Sequence, residues 1–246
     1  MDHLIYTSMS GANAALYRQD VLANNLANAS TNGFRAELST FRAVPLRGDG
    51  ASTRVFALEA TAGYLDKPGP VQRTGRALDA MAQGSAWFAV QGLDGTEAYT
   101  RNGAFEVSPQ GQLVTGNGLT VLSNAGTPID VPQGMEITIG SDGTISGKTG
   151  TQPSTQLARL KLATPTAEDP LKRGTDGLFR TTSGDPMPAD ATAKVQTGAL
   201  EGSNVNAVES MVGMIEVARQ FEAQMRLLQS SESNDKAASQ LLAVQG

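Results

Sequence analysis

Apolar residues recur with a heptad-like spacing at both ends of the chain, over residues 4–29 and 204–244. Within each set the steps alternate between three and four residues, which is the spacing of one face of an α-helix. The pattern therefore predicts one long amphipathic helix at each end. Its positions are Ile5, Met9, Ala12, Leu16, the polar Gln19, Ala23 and Leu26 at the N-terminal end, and Met211, Met214, Ala218, Phe221, Met225 and Leu228 at the C-terminal end.

The ends of the two predicted helices carry capping signals. Asn32-Gly33 predicts a left-handed stop for the first helix, with Phe34 placed for the hydrophobic contact that accompanies such a cap. Ser203 or Asn204 can cap the start of the second helix. Additional apolar residues widen the stripe of the second helix, so we expect it to need more than one neighbour; they are Val208, Val212, Ile215 and Val217.

Between the helices the chain is punctuated by glycine and proline, and all 11 prolines lie between Pro45 and Pro188. Residues 35–75 show no clean period and predict an extended connector with short strands. From about Leu78 onward the pattern predicts short strands, including 87–90 and a run through Leu157, Leu160 and Leu162, separated by turn residues. Asn102-Gly103 predicts a hairpin, and further turns are expected at 94–95, 109–111, 116–118 and 142–143.

These elements predict an α+β fold with a discontinuous helical domain. The N- and C-terminal helices pair as a coiled coil built from residues 1–34 and 203–246. Residues 35–77 and 190–202 form an extended connecting region, and residues 78–189 form a central antiparallel β domain. A two-helix hairpin buries little area. We therefore expect the ends to be loose in a monomer and ordered in an assembly.

Composition excludes several classes of function. The 246 residues contain no cysteine, which excludes disulfides, thiolate catalysis and cysteine-ligated metals, and suits export in an unfolded form. The net charge of -5 argues against a nucleic-acid-binding protein. Asp2 stands where a signal peptide is positively charged, so we expect no cleaved signal, and no apolar run is long enough for membrane insertion.

The sequence predicts no catalytic, cofactor-binding or metal-binding residue. His3 is the single histidine, so a Ser-His pair is implausible and histidine–cysteine metal sites are excluded by counting. Paired carboxylates of the glycosidase type remain open. However, Asp94, Asp142 and Asp176 each precede a glycine, a context typical of turns. The alternative from a different functional class is therefore a β module that acts on peptidoglycan or binds glycans.

Arginines on or near the helices have acidic counterparts in the C-terminal segment. Pairs between them are weak on a solvent-facing helix, whereas between packed subunits they set register, and both interpretations stay open. The arginines are Arg18, Arg35, Arg219 and Arg226, and the acids are Glu209, Glu216 and Glu222.

Three motifs resemble those of the bacterial flagellar rod and hook proteins. The first is Ala23-Asn24-Asn25-Leu26-Ala27-Asn28 with Thr31 and Gly33-Phe34-Arg35. The second is Tyr99-Thr100-Arg101-Asn102-Gly103-x-Phe105 with Gly111-x-Leu113-Val114. The third is Gly198-x-Leu200-Glu201-x-Ser203-Asn204-Val205 with Glu209 and Met214-Ile215. Together they span essentially the whole chain. Ala218-Arg219-Gln220-Phe221-Glu222 resembles the proximal rod member, because the distal rod member usually reads Gln-Arg-Ala-Tyr-Glu there.

The resemblance implies a structural subunit without cofactors, exported by the flagellar type III apparatus. It implies a hollow axial rod in the periplasm, in which the helices line the tube and contact other copies and neighbouring rod proteins. The alternative within the family is a distal rod subunit. Residues expected at the assembly interface are Ile5, Met9, Ala12, Leu16, Ala23, Asn25, Leu26, Asn28, Met211, Met214, Ile215, Ala218, Phe221, Met225 and Leu228.

Overall fold

A computed structural model describes residues 2–45, 55–150 and 152–243 of the chain. Helix α1 spans Asp2–Ala27 and helix α2 spans Ala207–Ala243, with antiparallel β structure between them, so the predicted α+β class is confirmed. The strands are β1 Glu37–Pro45, β2 Val55–Tyr64, β3 Val71–Arg73, β4 Ala80–Ala82, β5 Trp87–Gln91, β6 Glu97–Thr100, β7 Phe105–Val107, β8 Leu113–Thr115, β9 Glu136–Ile139, β10 Thr144–Lys148, β11 Thr155–Arg159, β12 Leu162–Ala163, β13 Leu171–Arg173, β14 Phe179–Thr181, β15 Val195–Thr197 and β16 Ala199–Glu201.

The chain divides into two compact units, each assembled from segments that are distant in sequence. Unit 1 comprises residues 1–29, 36–65 and 205–246, and unit 2 comprises residues 30–35 and 66–204. Unit 1 therefore takes both terminal helices together with β1 and β2. Unit 2 takes all the other strands and the short segment 30–35.

In unit 1, α1 packs along α2 and along the β1–β2 hairpin. Gly11 lies against Gln224 and Gly213 lies against Leu22, so the two helices run antiparallel. The prediction of short strands in the connector was wrong for β1 and β2, which are nine and ten residues long, whereas β3 has three residues. Strands β1 and β2 pair from Glu37 opposite Tyr64 to Pro45 opposite Val55. Helix α1 contacts both strands, a packing partner that the local sequence does not reveal.

Unit 2 holds the hydrophobic core of the β structure. Its largest sheet has the strand order β12-β5-β6-β14-β13, and a second sheet has the order β11-β10-β9. Strand β5 is buried along almost its whole length, as its apolar sequence predicts. The core contains Phe88 and Phe105, whose rings meet edge to face with centroids 5.1 Å apart, and it extends to Ile145 and Leu162.

Among the described residues, six loops of unit 2 share one backbone geometry. In each, the first residue donates to the carbonyl of the fifth, and a glycine at position four donates to the carbonyl of the first. The glycine has a positive φ, 78° at Gly95, which is the left-handed position of a three-residue hairpin loop. The six glycines are Gly95, Gly111, Gly118, Gly126, Gly143 and Gly177. Four of these loops lie at the turns that the sequence predicts at 94–95, 109–111, 116–118 and 142–143, and a fifth lies at Asp176-Gly177, which the sequence gives as a turn context.

The predicted hairpin at Asn102-Gly103 was wrong. Strand β6 pairs with β5 and β14, whereas β7 pairs with β8, so the two strands that flank this dipeptide do not pair with each other. Gly103 instead accepts a hydrogen bond from Ala80 N–H at 3.0 Å, and a Cβ at Gly103 would lie 1.6 Å from Ala80 O. The glycine is therefore needed for a close approach of two backbone segments rather than for a turn.

The helix caps also differ from the prediction. Helix α1 ends at Ala27, and Gly33 takes its positive φ six residues later, where its N–H donates to Glu201 O at 2.7 Å. Helix α2 is capped by Asn206, whose Oδ1 accepts from Val208 N–H at 3.1 Å and Glu209 N–H at 3.3 Å. Asn204 is engaged in unit 2, where it donates to Phe34 O and Lys67 O.

Candidate functional site

The antiparallel helix pair of unit 1 is held by small side chains. A Cβ at Gly11 would lie 3.1 Å from Gln224 Cδ, and a Cβ at Gly213 would lie 3.2 Å from Leu22 Cδ1. Such close approach leaves room for small residues on the buried face of each helix. The buried side chains of the two helices are Ser8, Ala12, Ala15 and Asn25 on α1, and Ser210, Val217 and Ser231 on α2.

The buried face is offset from the apolar stripe that the sequence shows. On α1 it passes through Ser8, Ala12 and Ala15, whereas Met9 is 50% exposed and Leu16 is 45% exposed. Small side chains of α1 are thus buried within unit 1. Among the larger apolar residues of α1, Tyr6, Met9, Leu16 and Tyr17 stay exposed, whereas Leu22 and Leu26 are partly buried.

The same division appears on α2. Val217 is 1% exposed and faces the helix pair, whereas Ile215, two residues earlier, is 55% exposed. Ile215 continues a run of exposed apolar residues at spacings of three, one and three, which form one helical face. This face, called the α2 stripe below, consists of Val208, Met211, Val212 and Ile215.

The positions predicted at the assembly interface divide into two groups. Partly buried ones are Leu26, Asn28, Met214, Ala218, Phe221 and Leu228, and Ala12 and Asn25 are fully buried within unit 1. Exposed ones are Met9, Leu16, Ala23, Met211, Ile215 and Met225. The side chain of Ile5 lies outside the described part of the structure. On the two helices, the exposed large apolar residues that were not among the predicted positions are Tyr6, Tyr17, Val208, Val212 and Leu227. Of these, the sequence had pointed only to Val208 and Val212, which widen the apolar stripe of α2.

The asparagines at the end of α1 bind within the chain. Asn25 Nδ2 donates to Glu37 O at 2.9 Å, and Asn25 Oδ1 accepts from Glu37 N–H at 2.8 Å. Asn28 Nδ2 donates to Asn24 O at 2.9 Å, as a capping side chain does. Asn25 therefore fixes the start of β1 against α1.

The helix arginines make at most weak intrachain pairs among the described side chains. Arg226 lies 3.6 Å from Glu222, four residues earlier on the same helix, and both side chains are exposed. Such a pair stabilises a helix by about a few tenths of a kcal/mol. Arg35, which the sequence grouped with the helices, belongs to unit 2 and pairs with Glu201.

The three carboxylates that precede glycines serve as loop acceptors. Asp94 and Asp142 each accept from the N–H two residues later, at 3.1 and 3.0 Å, and hydrogen bonds from Thr96 and Thr144 lower the pKa of their carboxyl groups. Asp176 accepts from Leu178 N–H, and its pKa is lowered chiefly by Arg180. Lowered pKa values keep these groups ionised, which suits turn formation and is the opposite of what a general acid requires.

Other chemistry is also missing from the described residues. Within them no group of three or more histidine, aspartate or glutamate side chains is arranged to hold a metal ion. No helix in the described ranges is long and apolar enough to span a bilayer.

Three family models match successive parts of the chain. Residues 5–35 match the flagella basal body rod protein model, residues 81–147 match the flagellar hook protein FlgE/F/G D1 domain, and residues 196–241 match the flagellar basal body rod FlgEFG protein C-terminal model. These matches contain the three motifs that resemble rod and hook proteins.

Full-length relatives decide the family. The flagellar basal-body rod protein FlgF of Escherichia coli strain K12 is 47% identical over 99% of this chain and 100% of its own length. FlgF of Salmonella typhimurium strain LT2 is 46% identical over the same shares. The chain belongs to the FlgF family of flagellar basal-body rod proteins. The FlgG rod protein of Buchnera aphidicola is 29% identical over 96% of this chain and 98% of its own.

Membership of the FlgF family confirms the resemblance to rod proteins and the preference for the proximal rod member. FlgF relatives are structural components of the flagellar basal body, so this chain is a structural protein of the basal body and not an enzyme. The glycan-acting alternative is thereby excluded as an enzymatic activity.

Proposed function

We propose that this FlgF-family chain is a subunit of the proximal flagellar rod whose α2 stripe packs against neighbouring subunits. The supporting observation is that the apolar residues of α2 include both a buried one and an exposed set. Val217 is used inside the helix pair, whereas Val208, Met211, Val212 and Ile215 are between 47 and 67% exposed. An apolar helical face of this kind indicates an interaction surface.

The energy available from this face is sufficient for a polymer contact. Complete burial of one Val, Met or Ile side chain contributes about 1.5–3 kcal/mol, and each residue of the α2 stripe has roughly half of that still to gain. Four such residues, together with Met9 and Leu16 of α1, are repeated in every subunit of a helical lattice. Small residues in the helix pair keep the distance between the two helix axes short, which suits coiled-coil packing against further helices.

The same proposal assigns each part of the chain a place in the rod. The terminal helices form the inner domain of a hollow rod, residues 35–77 and 190–202 form the connecting layer, and residues 78–189 form the outer β domain. The partners are other copies, neighbouring rod proteins and, during secretion, the flagellar type III export apparatus. The assembled rod lies in the periplasm.

Placement in the proximal rather than the distal rod rests on family membership. Identity is 47% to a FlgF relative and 29% to a FlgG relative, over nearly the full length of each. A photo-cross-linker at Val212, followed by identification of the captured rod protein, tests the placement. Capture of proximal rod components supports it, and capture of hook protein alone contradicts it.

The assembly surface is tested by Ile215→Asp in cells that lack the native gene. Because Ile215 is exposed in the single chain, the variant should keep wild-type helix content and thermal unfolding as a purified protein. In the rod it would bury an unpaired carboxylate, at a cost of several kcal/mol. We expect loss of motility and no completed rods.

Gln220→Asp is the matched control, since it adds the same charge at an exposed position of the same helix, about 140° around the axis from Ile215. It should swim. Wild-type swimming by Ile215→Asp, at normal protein level, would remove the α2 stripe from the interface.

A further inference from the structure

Three charged side chains meet inside unit 2. Arg35, Arg101 and Glu201 are 1%, 3% and 1% exposed. Arg35 Nη1 donates to Glu201 Oε1, and Arg101 Nε lies 3.0 Å from Glu201 Oε2. The two guanidinium carbons lie 5.9 and 5.6 Å from the ring centroid of Trp87, the single tryptophan of the chain. We call this group the ion cluster.

The ion cluster joins the beginning, middle and end of the chain. Arg35 and Glu201 are separated by 166 positions. Arg35 closes the first of the three motifs described in the sequence, Arg101 lies in the second, and Glu201 lies in the third. Each motif thus contributes one charge to the same buried site.

The two arginines of the ion cluster depend on Glu201 for a buried counter-charge. Arg101 Nη2 donates to Gly84 O at 2.7 Å and Nη1 donates to Ala86 O, so carbonyls satisfy part of that guanidinium. Asp66 is 4.0 Å from Arg35 but its side chain is 58% exposed, which screens its charge. Burial lowers the pKa of Arg101, Glu201 opposes that change, and Arg35 adds to it. The Glu201 carboxylate is the buried negative charge that the two arginines share.

The segment that carries Glu201 also makes backbone pairs along its whole length. Strand β15 pairs with β4, and β16 pairs with β3. Gly33 N–H donates to Glu201 O at 2.7 Å, and Gly69 N–H donates to Glu201 Oε1 at 3.0 Å. Asn204 N–H then donates to Phe34 O at 3.2 Å. Segment 195–204 therefore covers strands that come from the start of unit 2.

We propose that segment 195–204 is a latch that closes unit 2, and that the Glu201 carboxylate is the group that holds it shut. If the latch is open while the other strands of unit 2 are packed, the two guanidinium groups lie together in the interior without a counter-charge. That packing of the other strands is then unfavourable. Removal of one partner from a buried ion pair is far more costly than removal of the whole pair. Glu201 lies three residues before the end of unit 2, so unit 2 closes only when nearly all of its own chain is present.

The latch is tested by native-state hydrogen exchange on the full chain over a range of low denaturant concentrations. Among the described residues, four amides outside the strand ladders donate to backbone carbonyls of the latch segment or of its neighbour Lys194, namely those of Gly33, Thr74, Gly75 and Gln83. In the wild-type protein they should share one opening free energy. That value should be lower than the one for Leu113 and Gln91, whose amides donate to Ile129 O and Thr120 O inside the β body.

Glu201→Gln removes the charge and keeps the shape and the acceptor for Gly69 N–H. We expect the four latch amides to exchange faster by a common factor of about 10² or more. Trp87 emission should shift to longer wavelength as water reaches the ion cluster. Glu136→Gln, on an exposed position of β9, is the control and should change exchange by less than about twofold. If Glu201→Gln does not fold, Glu201→Asp is measured in its place. It keeps the charge on a shorter side chain, and its four latch amides should exchange faster than in the wild-type protein, by a smaller factor than that expected for Glu201→Gln.

Two outcomes would overturn the proposal. One is a wild-type protein in which the four latch amides open with the same free energy and denaturant dependence as Leu113 and Gln91, because no separate latch then exists. The other is a Glu201→Gln protein that matches Glu136→Gln, because the carboxylate then does not hold the segment.

Discussion

Asn25 at the end of α1 and Glu37 at the start of β1 are joined by two hydrogen bonds, one in each direction. The Asn25 side chain donates to Glu37 O at 2.9 Å and accepts from Glu37 N–H at 2.8 Å. An amide group is the one side-chain type that mimics a backbone pair in this way. The sequence placed Asn25 among residues expected at the assembly interface, and in the single chain its polar atoms are already engaged.

Asn25→Ala should lower the free energy of unfolding of unit 1 by about 1–3 kcal/mol, because two polar backbone groups of Glu37 lose their partner. Asn25→Asp should cost at least as much, since a carboxylate oxygen would face Glu37 O. Urea unfolding followed by far-UV circular dichroism measures both. Asn24→Ala, at the neighbouring exposed position, is the control. Equal effects at both positions would mean that the double hydrogen bond contributes nothing specific.

The terminal helices should exchange their amides faster than the β body in a purified monomer. Unit 1 has a two-helix pair and one hairpin, with most of its large apolar residues exposed, whereas unit 2 holds the buried core. Hydrogen exchange should therefore be fast over about residues 1–30 and 205–246, and slow over about residues 80–190. Strong protection of both ends in a verified monomer would contradict this.

Gly103→Ala should destabilise unit 2 by about 1–3 kcal/mol or more, since its Cβ would lie 1.6 Å from Ala80 O and would force β4 away from residue 103. Gly116→Ala is the matched control. A Cβ there would have its nearest neighbour, Ala104 O, at 3.9 Å. Thermal unfolding of the two variants should separate them by several degrees. Similar melting temperatures would show that the backbone relaxes at no cost.

Asp190 gives unit 2 an acid-sensitive contact. Hydrogen bonds from Thr192 and Thr164 lower the pKa of its carboxyl group to about 2 from the ordinary value of 3.8. Because the folded protein holds the proton less tightly than the unfolded chain, this contact stabilises the fold above about pH 4 and is lost as the pH falls towards 2. Carboxyl NMR titration should give a midpoint near 2. Thr192→Val should raise that midpoint, and an unchanged midpoint would assign the shift to another cause.

Local patterns in the sequence were sufficient for the elements whose physics is local. The heptad-like spacing predicted both terminal helices, and glycine-containing turn sequences predicted five of the six hairpin loops, because a left-handed residue at a fixed place restricts the local backbone. The aspartates before Gly95, Gly143 and Gly177 were predicted as turn residues, and each accepts the N–H two positions later. Family motifs carried the identification as a rod protein.

Tertiary structure decided everything that depends on which segments meet. A stripe of apolar residues shows that a helix has a buried side. It does not show whether the rest of the chain packs against that stripe or against the smaller residues beside it. Ala12 and Val217 are buried while Met9 and Ile215 stay exposed, because close helix packing favours small side chains. Likewise, Asn102-Gly103 has the composition of a hairpin turn, yet the carbonyl of Ala80 determines its role. The joining of Arg35 to Glu201 across 166 positions has no local signal, because buried charges are balanced only where the folded chain brings them together.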